Sequence, residues 1–338
     1  MKKKVFVEQL KEGERVDEAF LVKAIKVGET RAGKPYLQLT VMDRSGEISG
    51  PVWERVEALQ QLCAPGAMVR LTGQVQSYRD KLQLKIEEIT AVEEPLDEAL
   101  FVPAARRKAE EMAEELHAIL HGVSNPHIKK LLSHFFKQGE LWQRFQQAPA
   151  AKAIHHAYLG GLLEHCLSMA KVANFLAAHY PGVDRSLLLA GVLLHDIGKV
   201  AELTMTSGVI EYSDAGRLKG HLVIGSEMVA EAAAGIRDFP PELLVQVQHL
   251  ILSHHGKQEF GSPTVPMTIE ALLLSFIDDL DAKMNLAEQL RHKQDGPELA
   301  WSEYQRSLER YLFLGGLPKE EIRVAAGSDP AGRQPKLF

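Results

Sequence analysis

Leu193-Leu-His195-Asp196-Ile-Gly-Lys199 places an imidazole and a carboxylate side by side at the end of a strongly apolar segment. Burial of such groups among leucines is unfavourable unless each one has a partner. The same conflict recurs in Gly160-Gly-Leu-Leu-Glu-His165, in Ser253-His254-His255-Gly256 and in Phe276-Ile-Asp278-Asp279-Leu-Asp281. A shared cation would satisfy all four segments, so the pattern predicts a metal site in the second half of the chain.

The mixture of ligand types narrows the choice of ion. Imidazole together with carboxylate suits Mn, Fe, Co, Ni or Zn, whereas Mg and Ca prefer oxygen ligands. His195 and Asp196 can hold one ion, or Asp196 can bridge two ions. His221 and His254 would then complete a second position. Two ions about 3.5–4 Å apart are a common arrangement for phosphodiester hydrolysis, since one lowers the pKa of a bound water and both offset developing charge.

The segments around this cluster predict an all-α domain. Apolar residues recur there at three- and four-residue spacing, which is typical of amphipathic helices. Asp184 is a plausible N-cap, Pro240-Pro241 a helix start and Gly256 a stop. The predicted helices cover residues 104–121, 126–147, 152–180, 184–197, 221–234, 240–255, 266–293 and 298–313.

The first part of the chain has the pattern of strands. Runs of β-branched and apolar residues alternate with turn signals, and one helical stretch, Glu54–Leu62, falls between the third run and the fourth. That order is typical of an OB-fold, a small all-β Greek-key barrel. The predicted strands are Ala19–Val27, Tyr36–Val41, Glu47–Trp53, Met68–Val75 and Leu82–Val92.

The predicted barrel carries basic and aromatic residues in the two loops that OB-folds use to bind single strands, and Trp53 ends the third strand. Stacking on bases is one role for the aromatic residues, and membership of the barrel core is the alternative for Tyr36 and Trp53. The candidate nucleic-acid-binding residues are Arg31, Lys34, Tyr36, Trp53, Tyr78, Arg79 and Lys81.

Composition sets further bounds. The chain has 338 residues, two cysteines and a formal net charge of −6. Few cysteines indicate a reducing compartment, and the sequence shows no signal peptide or apolar run that would span a membrane, so we expect a cytoplasmic location. We expect an OB-fold domain at 1–95, a linker and helical lead-in at 96–150, the metal domain at 151–315 and a mobile tail at 316–338.

The order His…His-Asp…His…His…Asp on an all-helical domain resembles the HD superfamily of metal phosphohydrolases. The resemblance covers about residues 150–285 and implies that His165, His195, Asp196 and Asp278 bind the primary metal. Dinuclear members add two histidines, here His221 and either His254 or His255. Asp279 and Asp281 are then a solvated helix face or partners of the histidines.

An OB barrel followed by an HD domain resembles the YhaM family of bacterial 3′–5′ exoribonucleases, and the segment 152–165 is close to that family's entry into its HD domain. The resemblance implies Mn²⁺-type activation and removal of nucleotides from single-stranded RNA, with single-stranded DNA as a further substrate. Asp196 would be catalytic, and Lys199 with His155 or His156 would steady the phosphate oxygens. Lys199 could instead serve only as a charge near a helix end.

Two other functions remain open at this point. The first is a phosphodiesterase for a small or cyclic nucleotide, with a regulatory barrel. The second is a single-strand-binding protein without catalysis, against which the intact set of four primary ligands speaks.

The C-terminal segment Gln334-Pro-Lys-Leu337-Phe338 has the spacing of the short peptide by which bacterial proteins dock on the DNA sliding clamp. Sliding-clamp docking is therefore a further hypothesis. The alternative is that Leu337 and Phe338 fold back onto the chain or remain free.

Overall fold

The first unit begins with a closed barrel. The computed structural model describes residues 3–30, 32–78, 81–92, 97, 100–105, 107–152, 156–206, 209–292 and 301–315. The barrel strands are β1 (Arg15–Glu29), β2 (Pro35–Asp43), β3 (Gly46–Val52), β4 (Met68–Tyr78) and β5 (Lys81–Ala91), with helix α1 (Val56–Leu62) between β3 and β4. They close in the order β1-β2-β3-β5-β4, which confirms the OB-fold prediction.

One long strand closes the barrel. The first half of β1 pairs with β4 and its second half pairs with β2, with a change of register between Val22 and Ala24. An extra residue bends a strand and increases its twist, which lets one strand join both edges of a curled sheet. The alternating pattern of β2 buries Leu37, Leu39 and Val41 inside the barrel. Alternation therefore sets which face of the strand points inward.

The rest of the first unit is helical, and one apolar core runs through it from Met112 to Ile277. Helix α6 is buried from Ser186 to its end and is apolar all around from Leu187 onward, as expected for a helix at the centre of a domain. The helices are α2 (Ala109–His121), α3 (Pro126–Phe136), α4 (Glu140–Gln147), α5 (Gly161–His179), α6 (Arg185–Leu194), α7 (Lys199–Glu202), α8 (Asp214–Ala234), α9 (Pro241–Ser253) and α10 (Ile269–His292).

Several predicted helix boundaries are confirmed and others shift. Asp184 caps α6, because its carboxylate accepts a hydrogen bond from the backbone N–H of Leu187 at 3.0 Å. Pro241 begins α9, as expected from the missing N–H of proline. The predicted helix 126–147 is interrupted before Gly139, whose φ of 106° is outside the helical region. A β-hairpin of β6 (Leu203–Thr206) and β7 (Val209–Tyr212) was not predicted.

In the second unit, residues 283–338, the structure contradicts one predicted helix. A helix at 298–313 is wrong over the described residues 301–313, where Trp301 pairs with Phe313 and Gln305 with Arg310 in antiparallel bridges. The rings of Trp301 and Phe313 lie 5.1 Å apart between centroids. Aromatic pairs across two extended segments outweigh the weak helical spacing of this stretch.

No helix in the described part of the chain is long and apolar enough to cross a membrane. The predicted domain boundaries stay predictions. The tail at 316–338, with Gln334, Leu337 and Phe338, lies outside the described residues.

Candidate metal centre

Two helix ends, two positions within helices and one helix break bring the predicted ligands together. His165 lies on α5, His195 and Asp196 follow α6, His254 follows α9, and Asp278 lies on α10. His221 on α8 joins them, directly after a break in that helix at Gly220, where φ is 74°. Residues far apart in the sequence thus converge on one buried centre.

The histidines of this centre share one arrangement, in which Nδ1 contacts an oxygen acceptor. Carboxylate and carbonyl oxygens accept hydrogen bonds, so Nδ1 carries a proton in each ring and Nε2 is left to bind a cation. The acceptors are Asp281 Oδ2 for His165 (2.7 Å), Val192 O for His195 (2.9 Å), Glu202 Oε1 for His221 (3.0 Å), Ile251 O for His254 (2.7 Å) and Phe260 O for His255 (2.9 Å).

The Nε2 atoms point toward two carboxylates. Asp278 Oδ1 lies 3.2 Å from Nε2 of His165 and 3.9 Å from Nε2 of His195. Asp196 Oδ2 lies 3.2 Å from Nε2 of His195, while Asp196 Oδ1 lies 3.4 Å from Nε2 of His221. The Asp196 carboxylate therefore faces His195 with one oxygen and His221 with the other, which is the position expected of a bridging ligand.

Three of these ligand atoms have a further feature that is consistent with a bound cation. Among the described residues, Nε2 of His195, Oδ1 of Asp196 and Nε2 of His221 are buried and have no hydrogen-bond partner. Buried polar atoms are normally satisfied, so orphaned ones require an explanation. A divalent metal with nitrogen and oxygen ligands supplies it.

Four compact groups of three possible ligands can be drawn from the described residues, one of them His156, His165 and Asp281. His165, His195 and Asp278 offer atoms within 4.8 Å of one another, and so do His221, His254 and His255. Asp196 lies between them, and a set of His195, Asp196 and His254 also meets this limit. His254 and His255 both belong to the set with His221, so the choice between them as a ligand stays open.

Burial and charge set the protonation states of these groups, and they act differently on the aspartates and on the individual histidines. Burial raises the pKa of Asp196, but the nearby Lys199 and His195 outweigh it, so its pKa lies well below the usual value. Burial and the neighbouring His195 lower the pKa of His254, which keeps that imidazole neutral. For His165, burial is outweighed by Asp278 and Asp281, which raise its pKa to about 9. The carboxylates that stabilise the extra proton on His165 would also attract a metal cation, which would displace that proton from Nε2.

A cleft opens beside the centre. Lys199, at the start of α7, places Nζ 2.6 Å from Asp196 Oδ2. Burial lowers the pKa of Lys199, but Asp196 more than offsets this and raises it, so the ammonium remains charged. The lining residues are Asp196, Lys199, His254, His255, Phe260, Ser275, Asp278, Asp279 and Ala282.

A chain of hydrogen bonds runs behind His165. Asp281 accepts from His165 and from Nε2 of His156, at 3.1 Å, and also from Ser168. Nδ1 of His156 lies 2.8 Å from the hydroxyl of Tyr158. The contacts of both His156 ring nitrogens place it behind the ligand, and its predicted phosphate role stays a prediction.

We expect Asp281→Ala to weaken metal binding about 10- to 100-fold, because loss of an outer hydrogen bond leaves the His165 ring poorly oriented. Calorimetric titration of the metal-free protein with Mn²⁺ measures this change. Ser168→Ala is the matched control, since it keeps the Asp281–His165 bond and should retain the affinity. Equal affinities for Asp281→Ala and the unmodified protein would contradict the prediction.

The barrel carries an aromatic pair beside the β1–β2 loop. The ring centroids of Tyr36 and Trp53 lie 5.1 Å apart, and the Trp53 side chain is 60% exposed. Gly28, opposite Tyr36 in the ladder, makes this possible, because a Cβ there would lie 2.6 Å from the tyrosine ring. The barrel-core alternative for Trp53 is therefore wrong.

The structure describes only some of the other residues predicted to bind nucleic acid or phosphate. Tyr78 is exposed at the end of β4, and Lys34 is exposed in the loop just before β2. Arg31, Arg79 and His155 lie outside the described residues, as does the side chain of Lys81. Glu202 was not singled out from the sequence, although an acid within the apolar run after Lys199 was an available signal.

Two domain families match the chain. The HD domain matches residues 162–283, and the OB-fold nucleic acid binding domain matches residues 21–92. Fold and site together thus define an OB-fold barrel followed by an HD-type hydrolase domain, whose cluster of histidines and aspartates implies a divalent metal.

Full-length relatives identify the family. The chain is 36% identical to the 3′-5′ exoribonuclease YhaM of Geobacillus sp. (strain WCH70), over 91% of this chain and 95% of the relative. It is 38% identical to the 3′-5′ exoribonuclease YhaM of Bacillus subtilis (strain 168), over 82% and 88%. The chain belongs to the YhaM family of 3′–5′ exoribonucleases.

Proposed function

We propose that this protein is a metal-dependent exonuclease that shortens single-stranded RNA from its 3′ end. The observation that carries the proposal is the convergence of histidine Nε2 atoms on Asp196 and Asp278, at 3.2–3.9 Å, beside an open cleft. Membership of the YhaM family supports the same activity.

We further propose His165, His195, Asp196 and Asp278 as ligands of a first ion and His221 with His254 as ligands of a second. Divalent metals supply an acidified water and neutralise the charge that develops on a phosphodiester. Imidazole with carboxylate suits Mn, Fe, Co, Ni and Zn alike. Mn²⁺ is the proposed ion among them, because the family resemblance implies it.

The side chains around the metals have separate tasks. Asp196 holds the two ligand sets together, and its charge offsets that of bound cations. Asp281 and Glu202 orient His165 and His221 through Nδ1. Lys199 keeps its charge in the cleft and can move from Asp196 toward a phosphate oxygen when substrate enters.

We propose that the barrel holds the single strand through the Tyr36–Trp53 pair, Tyr78 and Lys34. Aromatic faces stack on bases of any sequence, and basic loops follow the phosphates. The net charge of −6 is compatible with this role, because a local basic loop is sufficient for contacts to phosphate.

We expect Trp53→Ala to weaken binding of long single-stranded RNA, by about 1–3 kcal/mol for each base that loses its stacking partner. Hydrolysis of a dinucleotide should stay unchanged, because the metal centre is not altered. Fluorescence anisotropy of a labelled strand measures affinity, and Phe175→Ala, at an exposed aromatic residue on α5, is the control. If long and short substrates lose activity equally, the barrel only stabilises the helical domain.

The proposed reaction is tested with end-labelled single-stranded RNA, Mn²⁺ and an EDTA control. Stepwise shortening from the 3′ end, abolished by EDTA, is the expected result. Turnover of small nucleotides with inert strands would favour the alternative phosphodiesterase. Inertness toward every substrate would favour a binding protein.

Three further expectations remain proposals: activity on single-stranded DNA, a cytoplasmic location and docking of Gln334, Leu337 and Phe338 on the sliding clamp. The last rests on sequence spacing alone. A titration of the clamp with the last ten residues as a peptide tests it, with a Leu337→Ala, Phe338→Ala peptide as control.

A further inference from the structure

One wall of the metal-site cleft is an exposed aromatic ring that none of the roles above uses. Phe260 lines the cleft together with Asp196, Lys199 and Asp278, and its side chain is 61% exposed. A phenylalanine gains stability when it is buried, so this one contributes little to the fold. Single exposed apolar residues are common, and it is the position of Phe260 that distinguishes it.

The local backbone fixes the ring beside the metal ligands. The segment after α9 turns at Gly256 and at Gly261, whose φ values are 78° and 97°. Between them, Phe260 ends a short 3₁₀ turn, and its carbonyl oxygen accepts the Nδ1–H of His255 at 2.9 Å. Phe260 thus orients the candidate ligand His255 through its carbonyl oxygen and also carries the aromatic ring. This hydrogen bond keeps the Phe260 backbone close to the metal centre.

A cation accompanies the ring. Nζ of Lys257 lies 5.3 Å from the centroid of Phe260 and 3.1 Å from Glu259 Oε1, in an ion pair whose two side chains are exposed. An aromatic face next to an exposed cation is a combination that binds a nucleotide in a single strand, because the ring stacks on the base and the cation meets the phosphate. An exposed ion pair contributes little stability, so a phosphate can replace Glu259 as the partner of Lys257.

We propose that Phe260 is the stacking platform for the base of the 3′-terminal nucleotide, with Lys257 near the phosphate backbone. The inference rests on the proposed exonuclease activity and names the part of the substrate that this cleft recognises. Stacking positions the last phosphodiester at the metal ligands. It also lets the enzyme accept any terminal base, since every base has a π face.

The first test compares two single-stranded RNAs that differ only in the 3′-terminal nucleotide, which carries adenine in one and no base in the other. We expect Phe260→Ala to lower kcat/KM roughly 5- to 150-fold on the adenine substrate. It should have little effect on the abasic substrate, which the unmodified protein also processes poorly. Phe260→Tyr should restore the activity, because it keeps an aromatic face.

Phe175→Ala is the matched control, since Phe175 is 71% exposed on α5 and is not among the residues that line the cleft. It should leave both substrates unaffected. Equal losses for Phe260→Ala on the two substrates, or no loss on either, would overturn the assignment.

The second test reports stacking without turnover. RNA with 2-aminopurine at its 3′ end and a non-hydrolysable last linkage is bound in Mn²⁺, and stacking on Phe260 should quench the fluorescence. The quench should vanish in Phe260→Ala and should be absent when the probe is at the 5′ end. A quench unchanged in Phe260→Ala rejects the platform, whereas a lack of 3′ shortening by the unmodified protein rejects the exonuclease itself.

Discussion

Asp196→Asn is expected to reduce hydrolysis by several orders of magnitude, on the scale of a metal's contribution to phosphodiester cleavage. Asparagine keeps the shape of the side chain and removes the charge that faces His195 and His221. Rates of RNA shortening at saturating Mn²⁺ measure the loss, and metal analysis of the purified variant reports how many ions remain.

The same substitution has a side effect that requires a second variant. Lys199 would keep its charge without its partner, and breaking a buried ion pair costs about 3–5 kcal/mol. A double variant, Asp196→Asn with Lys199→Met, removes the unpaired ammonium and should regain stability in thermal unfolding without regaining activity.

Asp238→Asn is the matched control for the charge change, because Asp238 is exposed in the turn after α8. It should behave as the unmodified protein does. Near-normal turnover in Asp196→Asn would rule out the metal assignment.

Gly198→Ala is expected to lower activity about 100-fold, the cost of displacing a catalytic group by about 1 Å. A Cβ at Gly198 would lie 2.1 Å from the carbonyl oxygen of His221 and 2.7 Å from the backbone nitrogen of Gly225. Backbone atoms cannot move as a flexible side chain does, so α8 must shift and carry His221 away from Asp196. Overpacking of this kind also destabilises a core by about 1–3 kcal/mol.

The activity and the Mn²⁺ stoichiometry of Gly198→Ala should therefore fall together, with the loss at the second ion. Gly182→Ala is the control, because a Cβ there meets nothing within 4 Å. Full activity with two bound ions in Gly198→Ala would show that the contact between α7 and α8 does not position His221.

The sequence alone was sufficient to predict the fold class and a cluster of histidines and aspartates that could bind a metal. Alternating strands with one helix after the third predicted the barrel, because a period of two leaves one choice of inward face. Ionisable residues within apolar helical runs predicted the metal domain, since such groups require a partner when they are buried. Asp184 marked a helix start through its capping hydrogen bond, and Pro241 marked one because it lacks the N–H that the first turn leaves unused, and both effects depend on only a few neighbouring residues.

The tertiary structure decided what depends on atoms that are distant in sequence. Asp281 and Glu202 acquire a role only when folding brings their oxygens to Nδ1 of His165 and His221. The exposure of Trp53 and Phe260 likewise depends on what packs around them. Helical spacing at 298–313 gave a wrong prediction because periodicity does not include cross-strand aromatic contacts. Short-range patterns set element type and ligand chemistry, whereas ligand orientation and side-chain exposure follow from packing across the whole domain.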